Sequence, residues 1–78
     1  MIEEKLKNIF IEIFSLNPKI SSKDIHIDKI QNWDSLKHIS LIIAIEQTFE
    51  VEIMPDDFPK LFSDFETIFD YLKVKNID

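Results

Sequence analysis

The spacing of apolar residues predicts an amphipathic helix at the start of the chain. Six of them recur at the 3.6-residue period of a helix, with Ile11 off that face: Ile2, Leu6, Ile9, Phe10, Ile13 and Phe14. We expect Asn17-Pro18 to end this helix, because a residue before proline disfavours the helical conformation.

No helical period follows between Asn17 and Asp34. Connections of this length in small domains are usually either disordered or functional. This one carries five large apolar residues that would not be left in water, so we predict an ordered, packed loop: Ile20, Ile25, Ile27, Ile30 and Trp33. The alternation Ile25-His26-Ile27 is compatible with a short strand, but the sequence offers no obvious partner for it.

Residues 35–49 form the strongest helical segment. Their apolar side chains spread over more than half of the helix circumference: Leu36, Ile39, Leu41, Ile42, Ile43, Ile45 and Phe49. So wide an apolar arc is typical of a helix that packs on several neighbours or also presents apolar surface to a partner.

The last third of the chain predicts one short and one long helix. Pro55-Asp56-Asp57 is a helix start, and Pro59 limits that helix to an end near Leu61 or Phe62. Ser63 and Glu66 fit a capping box that opens a final helix with Phe65, Ile68, Phe69 and Leu72 on one face. The fold class is therefore all-α: a four-helix bundle of three long helices and one short one. We expect residues 1–78 to form a single domain with its core at about 2–73.

Composition excludes several kinds of chemistry. The 78 residues include no glycine and no cysteine, and all nine basic residues are lysine. Phosphate-binding loops, dinucleotide fingerprints and EF-hand loops need glycine, and disulfides or zinc ribbons need cysteine. The net charge of −6 argues against nucleic acid as a partner. With no signal peptide and no apolar run of about 18 residues, we expect a cytoplasmic monomer that does not span a membrane.

The negative charge is concentrated in one part of the chain. Residues 46–70 hold eight acidic side chains against Lys60 alone, a net charge of −7, whereas residues 1–45 are neutral. Such a segment is either a solubilising surface or a face that attracts basic partners. Its position beside the end of the central helix favours the second interpretation.

Few residues could carry chemistry. His26 and His38 lack the spacing of metal ligands, so we expect no metal site. Ser35 and His38 could form a nucleophile–base pair, but a bundle this small offers no oxyanion hole or third group, so we expect no enzyme activity. Asp34 can cap the central helix, and the Ser35 hydroxyl then lies at the positive end of the helix dipole. On these residues alone, both could be capping residues and nothing more.

The residues around Ser35 resemble the acyl carrier protein family. The resemblance rests on Trp33-Asp34-Ser35-Leu36-Lys37-His38-Ile39-Ser40-Leu41-Ile42-Ile43-Ala44-Ile45-Glu46, on Phe49 to Ile53, and on Asp70-Tyr71-Leu72, and covers residues 2–73. It implies that a phosphopantetheinyl transferase (holo-acyl carrier protein synthase) attaches 4′-phosphopantetheine from coenzyme A to Ser35, with Asp34 supporting the modification. The thiol of that arm would carry acyl groups as thioesters.

The resemblance also implies a partner-binding face: Leu36, Lys37, Ile39, Ser40, Ile43, Ala44, Glu46, Gln47, Glu50, Glu52, Asp56 and Asp57. Its partners would be acyl-transferring, ligase or condensing enzymes with basic docking faces. The chain departs from housekeeping fatty-acid carriers, which typically have a glycine before Asp-Ser-Leu and an acid after it. Here Trp33 precedes and Lys37 follows, which favours a stand-alone carrier of a specialised pathway.

Two alternatives stay open at this point. An aminoacyl or peptidyl carrier shares the attachment chemistry and differs in cargo, which leaves little trace in the carrier's own sequence. An acidic all-α interaction module that is never modified would use Ser35 only as a helix-capping residue.

Overall fold

Three α-helices form the frame of the computed structural model, which describes residues 2–75. They are α1 (Ile2–Phe14), α2 (Ser35–Phe49) and α3 (Phe65–Val74). Two 3-10 turns, Pro55–Asp57 and Pro59–Leu61, supply the predicted short helix, here called segment 55–61. The all-α bundle is thus confirmed for residues 2–75, while the predicted domain limits, residues 1 and 78, lie outside the described residues.

Both α1 and α2 end in a left-handed residue that is not glycine. Ser15 and Glu50 each have φ of 55°. At the end of α1 the Leu16 amide donates to the Ile11 carbonyl oxygen at 3.0 Å, which closes the last turn in the manner of a Schellman motif. The helix therefore ends at Phe14 rather than at Asn17-Pro18, because the chain has already turned at Ser15.

The long connection between α1 and α2 is ordered and packed, as predicted. It contains a 3-10 turn, Ser22–Asp24, and buries Ile25, Ile30 and Trp33. The alternating residues around His26 do find a partner, which the sequence did not reveal. The Ile27 amide donates to the Ser63 carbonyl oxygen at 2.7 Å and the Phe65 amide donates to that of Ile25 at 2.9 Å, so an isolated bridge fixes the loop to the start of α3.

The predicted capping box at Ser63 is wrong by one residue. The N-cap of α3 is Asp64, whose carboxylate accepts a hydrogen bond from the Thr67 amide at 2.8 Å. Aspartate caps helices as well as serine does, and Asp64 is the residue next to the first helical position. Hydrogen bonding to Thr67, first from its side chain and to a smaller extent from its amide, lowers the pKa of Asp64.

One apolar core joins the three helices to the long loop and segment 55–61. Its largest fully buried members are Phe10, Leu6, Ile25, Leu41, Ile42, Ile45, Leu61, Ile68 and Leu72. Among residues 2–75, His38 is the one buried side chain that is polar. None of the helices within this range is long and apolar enough to cross a bilayer.

The corrected cap gives the first testable prediction. Replacing Asp64 by alanine removes the acceptor of the Thr67 amide and should lower the free energy of unfolding by about 1 kcal/mol. Ser63→Ala is the matched control and should change it by less than about 0.5 kcal/mol. Urea unfolding followed by circular dichroism measures both. A larger loss of stability for Ser63→Ala than for Asp64→Ala would show that Ser63 caps α3.

Candidate functional site

Ser35 is the first residue of α2, and its neighbour Asp34 caps that helix. Asp34 has an extended backbone (φ −104°, ψ −175°), and its Oδ1 accepts a hydrogen bond from the Lys37 amide at 2.9 Å. The side chains of Asp34 and Ser35 are both exposed. The hydroxyl thus lies on a defined first turn at the positive end of the helix dipole, where an attached anionic group is favoured.

A buried hydrogen bond connects Trp33, just before the cap, to His38 in the second turn of α2. The indole Nε1 of Trp33 donates to the imidazole Nδ1 of His38 at 3.0 Å. Because Nδ1 is the acceptor, the proton of the neutral ring is on Nε2, which donates to the Phe58 carbonyl oxygen at 2.8 Å. Trp33 is the residue before the cap, and His38 is the fourth residue of the helix. Two side chains at these positions contact each other in a hydrophobic staple.

The surroundings of His38 keep it uncharged and prevent it from acting on Ser35. Burial lowers the pKa of His38 below 6.5, although the hydrogen bond to Phe58 opposes this shift. The imidazole also stacks on the Phe62 ring, with the two centroids 4.7 Å apart. Since both ring nitrogens are engaged, His38 does not serve as the base of a Ser35–His38 pair.

A third contact ties the first turn of α2 to the end of α1. The Lys37 Nζ donates to the Ile13 carbonyl oxygen at 3.2 Å, and the Lys37 side chain is half-buried. A cation is favourable there, because carbonyl groups at the end of a helix lack partners and carry the negative end of its dipole. Lys37, one of the predicted partner residues, is therefore directed towards α1.

Three apolar side chains of α2 are turned away from the core. Leu36 is 78% exposed, Ile39 42% and Ile43 48%. At about 100° per residue they lie within an arc of about 60°, and we call them the outer face of α2. The predicted partner residues Ser40, Gln47 and Glu50 are exposed, while Ala44 is half-buried. Ala44 and Gln47 line a groove of about 370 Å³ between α1 and α2.

The acidic side chains of the predicted partner face divide into two groups. Glu46 and Asp57 have partners within the fold: the Glu46 Oε2 accepts from the Ile53 amide at 2.8 Å, and an Asp57 oxygen accepts from the Tyr71 hydroxyl at 2.7 Å. The bond from Tyr71 is the main reason why the pKa of Asp57 is lowered. The pKa of Tyr71 is raised to about 12, first because burial disfavours the charged phenolate and second because the Asp57 carboxylate accepts the hydrogen bond from its hydroxyl. Glu50, Glu52 and Asp56 are exposed.

Sequence reasoning missed two features of this site. The Trp33–His38 contact has a sequence signal, the five-residue spacing of a staple across a capping aspartate, but His38 was considered only as a metal ligand or as a base for Ser35. Met54, 55% exposed, adds apolar surface just before segment 55–61. Within the described part of the chain no group of histidine and acidic side chains is placed to hold a metal ion.

These features define a small helical domain that presents one serine hydroxyl at the start of its central helix, next to exposed apolar side chains. No family model matches the chain. It is 36% identical over 76 residues to the acyl carrier protein of Buchnera aphidicola subsp. Schizaphis graminum, across 96% of this chain and 94% of that protein. The acyl carrier protein of Guillardia theta is 31% identical over 74 residues, across 95% and 90% respectively. The chain belongs to the acyl carrier protein family.

The buried neutral His38 makes stability depend on pH. Because the pKa of His38 is lower in the folded protein than the ordinary 6.5, the unfolded chain binds the proton more readily. The free energy of unfolding should therefore fall as the pH drops below 6.5, by at most about 1.4 kcal/mol per pH unit for one proton.

Urea unfolding between about pH 7.5 and about pH 5 tests this. The matched control is His38→Gln, which retains every carboxylate and cannot titrate at this position. The difference in stability between the wild type and this variant should shrink as the pH falls. A difference that does not change with pH would contradict the assignment.

Proposed function

We propose that the chain is a non-catalytic acyl carrier, modified with 4′-phosphopantetheine at Ser35. It would deliver thioester-bound acyl groups to partner enzymes in fatty-acid, polyketide or related biosynthesis. The observation that carries the proposal is the exposed Ser35 hydroxyl on a capped first turn, in a chain of the acyl carrier protein family.

The attachment needs only a hydroxyl group from this chain. The Ser35 oxygen would form a bond to the phosphorus next to the pantetheine unit of coenzyme A. The bond from that phosphorus to the bridging oxygen breaks, adenosine 3′,5′-bisphosphate leaves, and the serine proton passes to a base on the transferase. When bound, the group supplies a terminal thiol that holds acyl groups as thioesters.

The residues around Ser35 suit a phosphodiester at that oxygen. Its negative charge would lie at the N-terminus of α2, where the first amide groups lack partners within the helix. Asp34 uses Oδ1 to hold the Lys37 amide, and its exposed carboxylate remains accessible to the transferase. We infer that Asp34 supports the modification both by fixing the first turn and by contacting that enzyme.

Partner enzymes would dock on the outer face of α2 and on the acidic side chains beyond it. The outer face supplies apolar contact area next to Ser35, with Ser40 and Gln47 exposed on the same helix. Glu50, Glu52 and Asp56 would attract a basic partner surface, raising the association rate more than the affinity. Glu46 and Asp57 would add to the field of this segment while keeping their contacts within the fold.

The attachment site is tested by intact mass. After incubation with coenzyme A and a promiscuous phosphopantetheinyl transferase, the wild type should gain one phosphopantetheinyl group, and Ser35→Ala should gain none. The variant keeps the Asp34 cap, so its free energy of unfolding should change by less than about 0.5 kcal/mol. An unchanged wild-type mass, when a reference carrier in the same mixture is modified, would favour the unmodified interaction module.

Docking by charge is tested with the exposed acids. Glu50→Lys together with Asp56→Lys should slow association with a basic-faced transferase by about tenfold at low salt and much less at high salt. Glu3→Lys together with Glu4→Lys makes the same charge change on exposed α1 positions and is the matched control. Stopped-flow association rates measure the effect, and equal rates for the two double variants would contradict the assigned face.

A further inference from the structure

The first turn of α2 is held more firmly than a capped helix start requires. Besides the Asp34 cap, it is connected to the core through Trp33 and His38, and to α1 through Lys37. His38 is buried and ionisable, and its imidazole takes no direct part in the attachment proposed above. A buried polar side chain with both nitrogens engaged connects elements that would otherwise move independently.

We propose that His38 is a positioning residue for the modification of Ser35, which it holds in one orientation through its hydrogen bond to Trp33. This inference rests on the proposed attachment at Ser35. His38 does not touch the reacting atoms. It fixes the segment that leads into α2, and that segment determines how the first helical residue is presented.

The position of Trp33 is set by the core, and this makes it an effective anchor. Its ring lies 5.3 Å from that of Phe10, 5.6 Å from that of Phe14 and 5.9 Å from that of Phe62, centroid to centroid. Trp33 is 3% exposed. The chain thus enters the cap from a fixed point, two residues before Ser35.

His38 transmits that fixed position to the helix. The imidazole orientation is set from the other side by the Phe58 carbonyl oxygen and the Phe62 ring. With the ring held, its Nδ1 is a stationary acceptor for the indole. Loss of the bond from Trp33 would leave the first turn dependent on the Asp34 cap and Lys37, and helix ends are where local opening is least costly.

This arrangement predicts which kinetic constant of the transferase changes when the hydrogen bond between Trp33 and His38 is removed. Docking uses the outer face of α2, and Ile39 and Ile43 of that face lie beyond the first turn, so KM for the carrier should change by less than about twofold. Alignment of the Ser35 oxygen with the phosphorus should deteriorate, and small misplacements of reacting atoms reduce turnover strongly. We therefore expect kcat of the transferase to fall by about tenfold.

Two substitutions separate the hydrogen bonds of His38. His38→Asn places an oxygen where Nδ1 was, so it keeps an acceptor for Trp33 and loses the donor to Phe58. His38→Gln places a donor near the former Nε2, so it keeps the bond to Phe58 and loses the acceptor for Trp33. Trp33→Phe removes the indole donor and retains an aromatic ring. Ile45→Val, a buried change farther along α2, controls for general loss of stability.

The experiment measures kcat and KM for each variant as transferase substrate, below its melting temperature as determined by circular dichroism. We expect about tenfold lower kcat for His38→Gln and Trp33→Phe, and a value within about twofold of wild type for Ile45→Val. His38→Asn keeps the acceptor for Trp33 but loses the bond to Phe58 that holds it, so its loss of kcat should be smaller than that of His38→Gln. The double variant Trp33→Phe/His38→Gln should be no slower than its slower parent, because both remove the same bond.

Several results would overturn the inference. They are wild-type kcat in His38→Gln and Trp33→Phe, an equal loss in Ile45→Val, or an increase in KM in place of the loss in kcat. If one of these two variants does not fold, the other decides the outcome. Failure of the proposed function is distinguishable, because the wild type itself would then not be modified.

Discussion

The hydrogen bond from the Trp33 indole to the His38 imidazole is the contact on which the arrangement of the site depends. A buried indole needs an acceptor for its N–H group, and a buried imidazole is stable when neutral and fully bonded. The pair meets both needs at once, since Nδ1 accepts from Trp33 and Nε2 donates to Phe58. Three separate parts of the chain, the long loop, α2 and segment 55–61, are thereby joined through one side chain in the second turn of the helix that Ser35 begins.

The absence of glycine has structural consequences elsewhere in the fold. Helices commonly end at a left-handed glycine, and a left-handed residue with a side chain costs about 1–2 kcal/mol. Ser15 and Glu50 take this conformation, and in each case the next amide closes the helix by donating to a carbonyl oxygen of its last turns. At the second of these ends the Glu46 carboxylate also accepts from the Ile53 amide, which helps to hold the chain after the turn. An acidic side chain counted towards partner binding thus has a role in the fold.

The sequence was sufficient to predict the helices, because the patterns that indicate a helix lie within the helix itself. The apolar period located α1, α2 and α3, the prolines located segment 55–61, and the apolar content of residues 17–34 predicted a packed loop. What it missed depends on contacts between distant segments. The bridge between Ile25–Ile27 and Ser63–Phe65 cannot be inferred from alternation alone, because its second strand is a helix cap. Likewise, Lys37 looked available to a partner until the fold brought the Ile13 carbonyl oxygen within 3.2 Å of its amine.

Along α2, the exposed apolar side chains and most of the exposed acidic side chains lie apart. From Ser35 to Ile45 the helix carries one charged side chain, Lys37, and its amine is bonded to α1. After Asp34, which caps the helix, the next exposed acid is Glu50, about 22 Å beyond Ser35 at 1.5 Å per residue. A partner that contacts both would therefore need apolar surface next to Ser35 and basic residues well away from it. An enzyme whose lysines and arginines surround its active-site entrance would meet Leu36 and Ile39 there, with Asp34 as the single exposed carboxylate beside Ser35. This spacing favours partners that place apolar surface near Ser35 and basic residues farther away. The preference depends on where the charges lie along the chain and not on their total number.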